Sequence, residues 1–187
     1  MSYGKKVLFT VFAIFLGFQS YKLFGMVLAL DPQKVSIMEA LIYAYLLTLF
    51  VTGVFAFPGF VFPTNRILPT TYYKVSNPTT ISKLYRVLGV KYFRAMLMLL
   101  FWGQKKNKAK FFDGTRNGID NLIFQSKQSE FGHLLPLVLI IIVSISFLVY
   151  QHFLLAAITM GINIIGNFYP IVLQGHHRMR IQKINAR

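Results

Sequence analysis

A glutamate and a histidine three residues apart, Glu130 and His133, are the side chains of this 187-residue chain best suited to acid–base chemistry. An imidazole titrates near neutral pH, and a neighbouring carboxylate can fix its tautomer and raise its basicity. Residues three apart share one face of a helix. The pair predicts a general base, His133, oriented by Glu130. The same residues also fit a simple polar pair at the start of a helix.

Two apolar runs, 134–150 and 153–173, follow this pair, and each is about long enough to cross a bilayer as a helix. If the chain turns near Gln151, residues whose numbers sum to roughly 302 lie at the same depth. His133 is then level with about Tyr169. The polar residues expected at this end of the hairpin are Asn167, Gln174, His176, His177 and Arg178.

Polar groups inside a membrane bundle are costly, so their predicted coincidence at one depth indicates a functional site. We predict that the catalytic residues are Glu130, His133 and Asn167. The predicted substrate-binding residues are Asp113, Gln174, His177 and Arg178. Arg178 suits a phosphate or carboxylate through its planar fork. Asp113 lies in a turn-rich stretch, 112–118, that also fits a plain turn.

Other chemistries have less support in the sequence. The chain contains no cysteine, which excludes disulfides, thiol nucleophiles and cysteine metal sites. A di-iron bundle needs two Glu-x-x-His pairs, and this chain has one. A single metal on Glu130 with His133, His176 or His177 stays an alternative to a site without a metal. No serine-hydrolase elbow and no Walker loop are present.

The elements that must position these residues are membrane helices. Hydrophobic residues make up 55% of the chain and occur in long runs, which is typical of an integral membrane protein. We therefore predict an all-α integral membrane protein with four transmembrane helices plus an interfacial amphipathic helix. The transmembrane helices are expected at about 7–28, 37–60, 132–150 and 153–174, in a single membrane domain.

The segment 64–131 is basic and aromatic, as expected for chain in the headgroup layer. Within it, residues 82–102 predict one amphipathic helix interrupted at Gly89. Its apolar part, 95–102, is too short to span, so it lies in the interface or re-enters partway. Glu39, near the start of the second helix, is expected to stabilise that helix terminus.

The net charge is +15, from 20 Lys and Arg against 5 Asp and Glu. Nearly all of these cations fall before the first helix, in the segment 64–131 or after the fourth helix, whereas the opposite side receives Lys34. The positive-inside rule then places both termini and the long segment in the cytoplasm. The charge fits anionic lipids better than nucleic acid, because no nucleic-acid motif accompanies it.

Several motifs coincide with those of one family of membrane enzymes. They are Leu68-Pro69 with Tyr72-Tyr73, Asp113-Gly114, Glu130 and His133, Asn167 with Pro170, and the tail 174–180. Residues 68–180 thereby resemble the glycosyl-4,4'-diaponeurosporenoate acyltransferase family of carotenoid glycoside biosynthesis. The family tail tends to read Gln-Arg-x-Asn-Arg-x-Arg. Here Gly175 replaces the first arginine and His177 replaces the asparagine.

The resemblance implies transfer of a fatty acyl group to a hydroxyl of a lipid-linked acceptor. His133 would take the hydroxyl proton, Glu130 would hold the imidazole, and Asn167 or Gln174 would donate to the oxyanion. Arg178 with nearby lysines would hold the phosphates of an acyl-CoA donor, and no tightly bound cofactor is expected.

We expect a multi-pass protein of the bacterial cytoplasmic (inner) membrane that contacts membrane lipids and the lipid-linked acceptor. It would bind no nucleic acid, and it could associate with a membrane protein partner or form an oligomer. Two other functions stay open from sequence alone. One is a non-catalytic or lipid-binding subunit of a larger membrane complex. The other is a small membrane methyltransferase or reductase.

Overall fold

A computed structural model of the chain describes residues 2–102, 115 and 118–185, and no strand occurs among these residues. Four helical stretches of the described chain are long and apolar enough to cross a membrane: Tyr3–Leu28, Ile37–Gly59, Gly118–Val149 and Phe153–Lys183. The predicted all-α membrane class with four spans is confirmed.

Eight α-helices occur in the part of the chain that the structure describes, and two π-helical segments and one 3₁₀ turn (Thr64–Arg66) join them. The helices are α1 (Tyr3–Leu28), α2 (Ile37–Gly59), α3 (Thr70–Tyr73), α4 (Pro78–Val87), α5 (Val90–Leu97), α6 (Gly118–Val149), α7 (Phe153–Asn163) and α8 (Tyr169–Asn185). The π-helical segments are Met98–Trp102 and Ile164–Phe168.

The chain divides into two compact units. The first unit comprises Met1–Phe62 and Gly132–Phe168, and the second comprises Pro63–Phe131 and Tyr169–Arg187. The boundaries fall inside α6 and at the start of α8. The prediction of a single membrane domain stays a prediction.

In the first unit, α1 packs against α2, and α2 packs against α7. The core contains small side chains of α2, such as Ala44, beside large ones, such as Phe147 of α6 and Leu155 of α7. Small residues let membrane helices approach closely and gain van der Waals contact. Gly53 of α2 shows how close this approach is, because a Cβ atom there would overlap the Leu16 side chain of α1.

In the second unit, α4 and α5 pack against α8. The turn between α4 and α5 depends on Gly89, whose φ of 62° is a left-handed conformation that suits glycine. Tyr169, at the start of α8, donates a 2.9 Å hydrogen bond to the carbonyl of Leu88. The interruption predicted at Gly89 is therefore present. The predicted helix at 82–102 becomes α4, α5 and a π-helical segment.

Two helices extend beyond the predicted apolar runs. The helix α6 begins at Gly118 rather than near 132, and α8 continues to Asn185 rather than ending near 174. Hydropathy marks where lipid begins, whereas a helix continues through polar residues that have adequate helix propensity. As a result, Glu130 and His133 lie well inside α6, and a role at a helix start does not fit them.

The start of α2 agrees with the prediction for Glu39. Ser36 accepts a hydrogen bond from the Glu39 backbone, and the Glu39 carboxylate accepts one from the Ser36 backbone. This reciprocal pair is a capping box, which satisfies two donors that the helix itself leaves free. Glu39 therefore has a structural role.

Candidate functional site

A buried ion pair joins Glu130 of α6 to Arg178 of α8 in the second unit. Glu130 is 3% exposed and Arg178 is 6% exposed, and the Arg178 Nη1 atom contacts Glu130 Oε2. The hydroxyl of Tyr72, in α3, donates a 2.9 Å hydrogen bond to Glu130 Oε1. Both carboxylate oxygens therefore have a partner.

The guanidinium of Arg178 is also held by other groups of the second unit. Its Nε donates to the carbonyl of Tyr73 at 3.2 Å, and its Nη1 lies 3.5 Å from the hydroxyl of Ser126. The Tyr73 ring centroid lies 5.2 Å from the guanidinium carbon, which is within the range of a cation–π contact. We call Glu130, Arg178, Tyr72, Tyr73 and Ser126 the ionic cluster.

The two tyrosines of the ionic cluster are held in their neutral form. Burial raises the pKa of Tyr72, because it disfavours the phenolate, and the negative charge of Glu130 raises it further. The same two causes raise the pKa of Tyr73 to about 12. Tyr72 therefore remains a hydrogen-bond donor to the carboxylate across the physiological pH range.

A second cluster, in the first unit, contains neutral groups. The Nδ1 atom of His133 lies 3.0 Å from Asn167 Oδ1, and the hydroxyl of Thr52, in α2, donates to the same oxygen at 3.2 Å. Asn167 Nδ2 donates to Asn163 Oδ1 at 2.9 Å, and Asn163 Nδ2 donates to the carbonyl of Leu137 at 3.0 Å. We call His133, Asn167, Asn163 and Thr52 the amide cluster.

The order of donors and acceptors in the amide cluster assigns the tautomer of His133. A carbonyl can only accept, so the contact with Leu137 requires the NH₂ group of Asn163 on that side. The Asn163 oxygen then accepts from Asn167, which directs the Asn167 oxygen toward His133. The Nδ1 atom of His133 must therefore carry the hydrogen, and the Nε2 atom of the neutral ring keeps its lone pair.

The sequence around Asn167 builds this geometry locally. Ile164–Phe168 is π-helical, and Asn163 precedes it as the last residue of α7. Single-turn π segments inside helices occur often at functional sites. Asn163 and Asn167 are both fully buried, so their amides serve each other and their neighbours rather than solvent.

The other predicted site residues have the following places. Gln174 Nε2 donates to Ser129 Oγ at 3.3 Å, and the Gln174 carbonyl accepts from Ser126. His177 is half-buried on α8, next to Arg178. Asp113 lies outside the described residues. Among those that are described, no group of three or more His, Cys, Asp or Glu side chains could hold a metal ion.

The hairpin geometry predicted which residues share one end of the hairpin, although the contacts among them differ from those expected. His133 contacts Asn167, two residues from its predicted level at Tyr169. Glu130 contacts Arg178, which was expected at the same end. The structure gives Glu130 and His133 separate partners, and an amide oxygen occupies the position beside His133 Nδ1 that the sequence suggested for a carboxylate.

Sequence reasoning gave no role to the other members of these clusters, among them Tyr72, Asn163 and Thr52. Tyr72 had a signal, since the Tyr72-Tyr73 pair was among the family motifs. Asn163 also had one, because an amide four residues before Asn167 in an apolar run lies on the same helix face. Thr52 had none, since a lone threonine in a transmembrane helix is common and its contact depends on tertiary packing.

The family match covers most of these residues. The model of the glycosyl-4,4'-diaponeurosporenoate acyltransferase family matches residues 69–187, which is more than half of the chain. The matched region contains all of the ionic cluster and all of the amide cluster except Thr52. No curated protein and no solved structure matches the chain.

Proposed function

Because this chain belongs to the glycosyl-4,4'-diaponeurosporenoate acyltransferase family, we propose that it moves a fatty acyl group from acyl-CoA to a hydroxyl of a lipid-linked acceptor. The acceptor would be a glycosylated, carotenoid-like lipid. The observation that supports a catalytic role is the amide cluster, which leaves the Nε2 lone pair of His133 as a base. A multi-pass membrane acyltransferase is the general activity that the family match supports.

The proposed reaction needs one base and no covalent enzyme intermediate. Nε2 of His133 takes the proton of the acceptor hydroxyl while the hydroxyl oxygen attacks the carbonyl carbon of the acyl thioester. The tetrahedral intermediate then collapses and the carbon–sulfur bond breaks. The thiolate leaving group receives the proton back from the imidazolium, which regenerates neutral His133.

Asn167 acts in this proposal as a positioning residue. Its oxygen fixes the ring and the tautomer of His133, and its NH₂ group is already bonded to Asn163. Full burial keeps Asn167 away from substrate. The sequence analysis offered the oxyanion role to Asn167 or Gln174, and for Gln174, which is half-buried and donates to Ser129, that role stays a proposal.

In this proposal Arg178 contacts the polar part of a substrate, and Glu130 acts only through Arg178, as a positioning residue. Glu130 and Tyr73 hold the guanidinium in one orientation, and a held guanidinium binds a phosphate or carboxylate with less loss of entropy. We propose that His177 and Asp113 also bind the substrate. Their roles follow from the sequence analysis.

The membrane setting completes the proposal. The basic segment 64–131 and the basic tail favour a bacterial cytoplasmic membrane with both termini and the substrate entrance on the cytoplasmic side. Anionic lipids would surround this face, and acyl-CoA would reach it from the cytoplasm. A membrane protein partner or a second copy of the chain is compatible with this arrangement.

Replacement of His133 tests the proposed reaction. In cells that carry the intact protein, a deletion, His133→Gln or His176→Gln, the acylated glycolipid and its unacylated precursor are measured by mass spectrometry of lipid and pigment extracts. We expect His133→Gln to lower acyl transfer by roughly 10²–10⁴-fold and to accumulate the precursor. The His176→Gln control should retain transfer, because His176 stacks on Tyr85 at 3.9 Å and lies outside both clusters.

Protein levels in the membrane are measured in the same strains, so that a loss of protein is not read as a loss of chemistry. Normal acyl transfer by the His133→Gln variant would show that His133 is not the base. If deletion alone changes the lipid profile, the chain acts as a non-catalytic or lipid-binding subunit.

A further inference from the structure

A partly open cleft of about 170 Å³ lies in the second unit, and Arg178 is part of its lining. Its polar wall is formed by Thr70 and Lys74 from the α3 region, Lys127 of α6 and Gln182 of α8. Pockets that enclose whole drug-sized ligands measure roughly 300–1,000 Å³. This cleft is large enough for one polar head group and too small for a complete lipid or coenzyme.

The charge of the cleft is positive and unbalanced. Lys74, Lys127 and Arg178 contribute cations to its lining, and the Arg178 charge is compensated by Glu130. Among the residues that the structure describes, no carboxylate lines the cleft. Two lysine charges therefore remain for a ligand. Two lysines that line one cleft together with a hydroxyl and an amide favour an oxygen-rich anion of one or two negative charges.

Tyr73 contacts two of the three cationic groups in the lining of the cleft, Lys127 and Arg178. The Lys127 Nζ atom lies 5.1 Å from the Tyr73 ring centroid, and the Arg178 guanidinium carbon lies 5.2 Å from the same centroid. The Tyr73 hydroxyl donates to the Lys127 carbonyl at 3.3 Å. A neutral ring in contact with both cations keeps them in place without neutralising them.

We propose that this cleft is a phosphate-binding site, in which Lys74 and Lys127 hold the anion and Thr70 and Gln182 donate hydrogen bonds. The apolar side chains of Ile123 and Ile181 form the rest of the wall and contact the part of the ligand next to the phosphate. The phosphate belongs either to a soluble acyl-CoA donor or to an anionic lipid headgroup. The first source, but not the site itself, rests on the proposed function.

The test uses the full-length protein in nanodiscs and two probes. Coenzyme A is titrated into protein in phosphatidylcholine nanodiscs, and retention of phosphatidylglycerol over phosphatidylcholine is measured by native mass spectrometry. The test variant is Lys74→Ala with Lys127→Ala. The matched control is Lys83→Ala with Lys91→Ala, which removes the same charge from the second unit outside the cleft. The apparent melting temperature reports on folding.

We expect the test variant to weaken binding of one probe by about tenfold or more, while the control pair changes it little. Loss of coenzyme A binding identifies the donor as the source, and loss of phosphatidylglycerol retention identifies the lipid. Lys74→Arg with Lys127→Arg should retain binding because it keeps both charges. Parent-like binding of both probes by the test variant, or an equal loss in the control pair, would overturn the proposal.

Binding of these probes requires no turnover. The His133→Gln variant should therefore bind the same probe as the parent does. If a protein binds the probe normally but transfers no acyl group, the proposed function is wrong and the phosphate-binding site is not. If a protein transfers acyl groups normally but binds no probe in the cleft, the phosphate-binding site is wrong and the proposed function is not.

Discussion

The two units solve the problem of polar side chains in an apolar protein in different ways. The ionic cluster of the second unit contains a full positive and a full negative charge, both buried, with Tyr72 and Tyr73 around them. The amide cluster of the first unit contains no formal charge when His133 is neutral. Its bonds run in one direction from His133 to the carbonyl of Leu137.

This difference indicates what each cluster is suited to do. A buried ion pair carries a large desolvation penalty, and the loss of one partner strongly destabilises the protein. It therefore fixes the geometry of its two side chains, but it makes the stability of the protein sensitive to a change in either one. A chain of neutral hydrogen bonds has a smaller desolvation penalty and can fix one tautomer of an imidazole. The amide cluster is thus suited to the tautomer that the proposed base needs, whereas the ionic cluster is suited to holding a cation in place.

The largest effect is expected when one charge of the ionic cluster is removed. Arg178→Met leaves the Glu130 carboxylate buried without its cation, and we expect the free energy of unfolding to fall by about 3–5 kcal/mol. Glu130→Gln should have a similar effect by isolating the guanidinium. Apparent melting temperatures of the protein in detergent and its level in membranes measure the loss.

The double variant Glu130→Gln with Arg178→Met sharpens this comparison, because it removes both charges together. It should be more stable than Arg178→Met alone, since no unpaired charge remains. As a control, Asp31→Asn breaks the exposed ion pair with Lys34 and should change stability little. Additive losses in the double variant would show that the two charges do not stabilise each other.

A smaller effect is expected in the amide cluster. Asn167→Leu leaves the Nδ1–H group of His133 and the hydroxyl of Thr52 without their acceptor, which should lower the free energy of unfolding by about 1–3 kcal/mol. We expect kcat to fall on the order of 10²-fold, because the imidazole loses its orientation, while KM changes little. Steady-state kinetics on purified protein separate these two parameters.

Conservative variants distinguish positioning from stability. Asn167→Asp keeps an oxygen that accepts from His133 Nδ1, so it should retain more of kcat than Asn167→Leu. Thr52→Val removes one hydroxyl and leaves the His133 contact, so its kcat should stay close to that of the parent. Equal kcat values for Asn167→Asp and Asn167→Leu would show that Asn167 does not act through His133.

The fold could be predicted from the sequence because lipid imposes a strong requirement on composition. Apolar runs of sufficient length gave all four spans, and the turn near Gln151 is present, with a positive φ of 65° at that residue. The helix ends at Gly118 and Asn185 could not be read in this way. They lie in polar sequence, where hydropathy carries no signal for where a helix begins or ends.

For the candidate site residues, the position along the hairpin could be predicted from the sequence, but the contacts between them could not. The hairpin turn determines which residues lie level. It placed Asn167 within two residues of the level predicted for His133, and it placed Arg178 at the same end of the hairpin as Glu130. The rotation of each helix about its own axis decides which level residue makes the contact. That rotation depends on packing by residues such as Thr52, whose contact no local spacing encodes.

The smallest effect at neutral pH, and the clearest difference between the clusters, concerns Tyr73 at high pH. Its ordinary pKa is 10.0, and burial together with Glu130 raises the pKa to about 12 in the folded protein. Between about pH 10 and pH 12 the folded state therefore binds more protons than the unfolded state, and the free energy of unfolding falls as pH rises. Below pH 10 this contribution is fully present.

Tyr73→Phe should make the decline across this range shallower in chemical-denaturation curves, whereas Thr52→Val, in the amide cluster, should keep the slope of the parent. A decline as steep in Tyr73→Phe as in the parent would show that some other group of the protein is responsible for it.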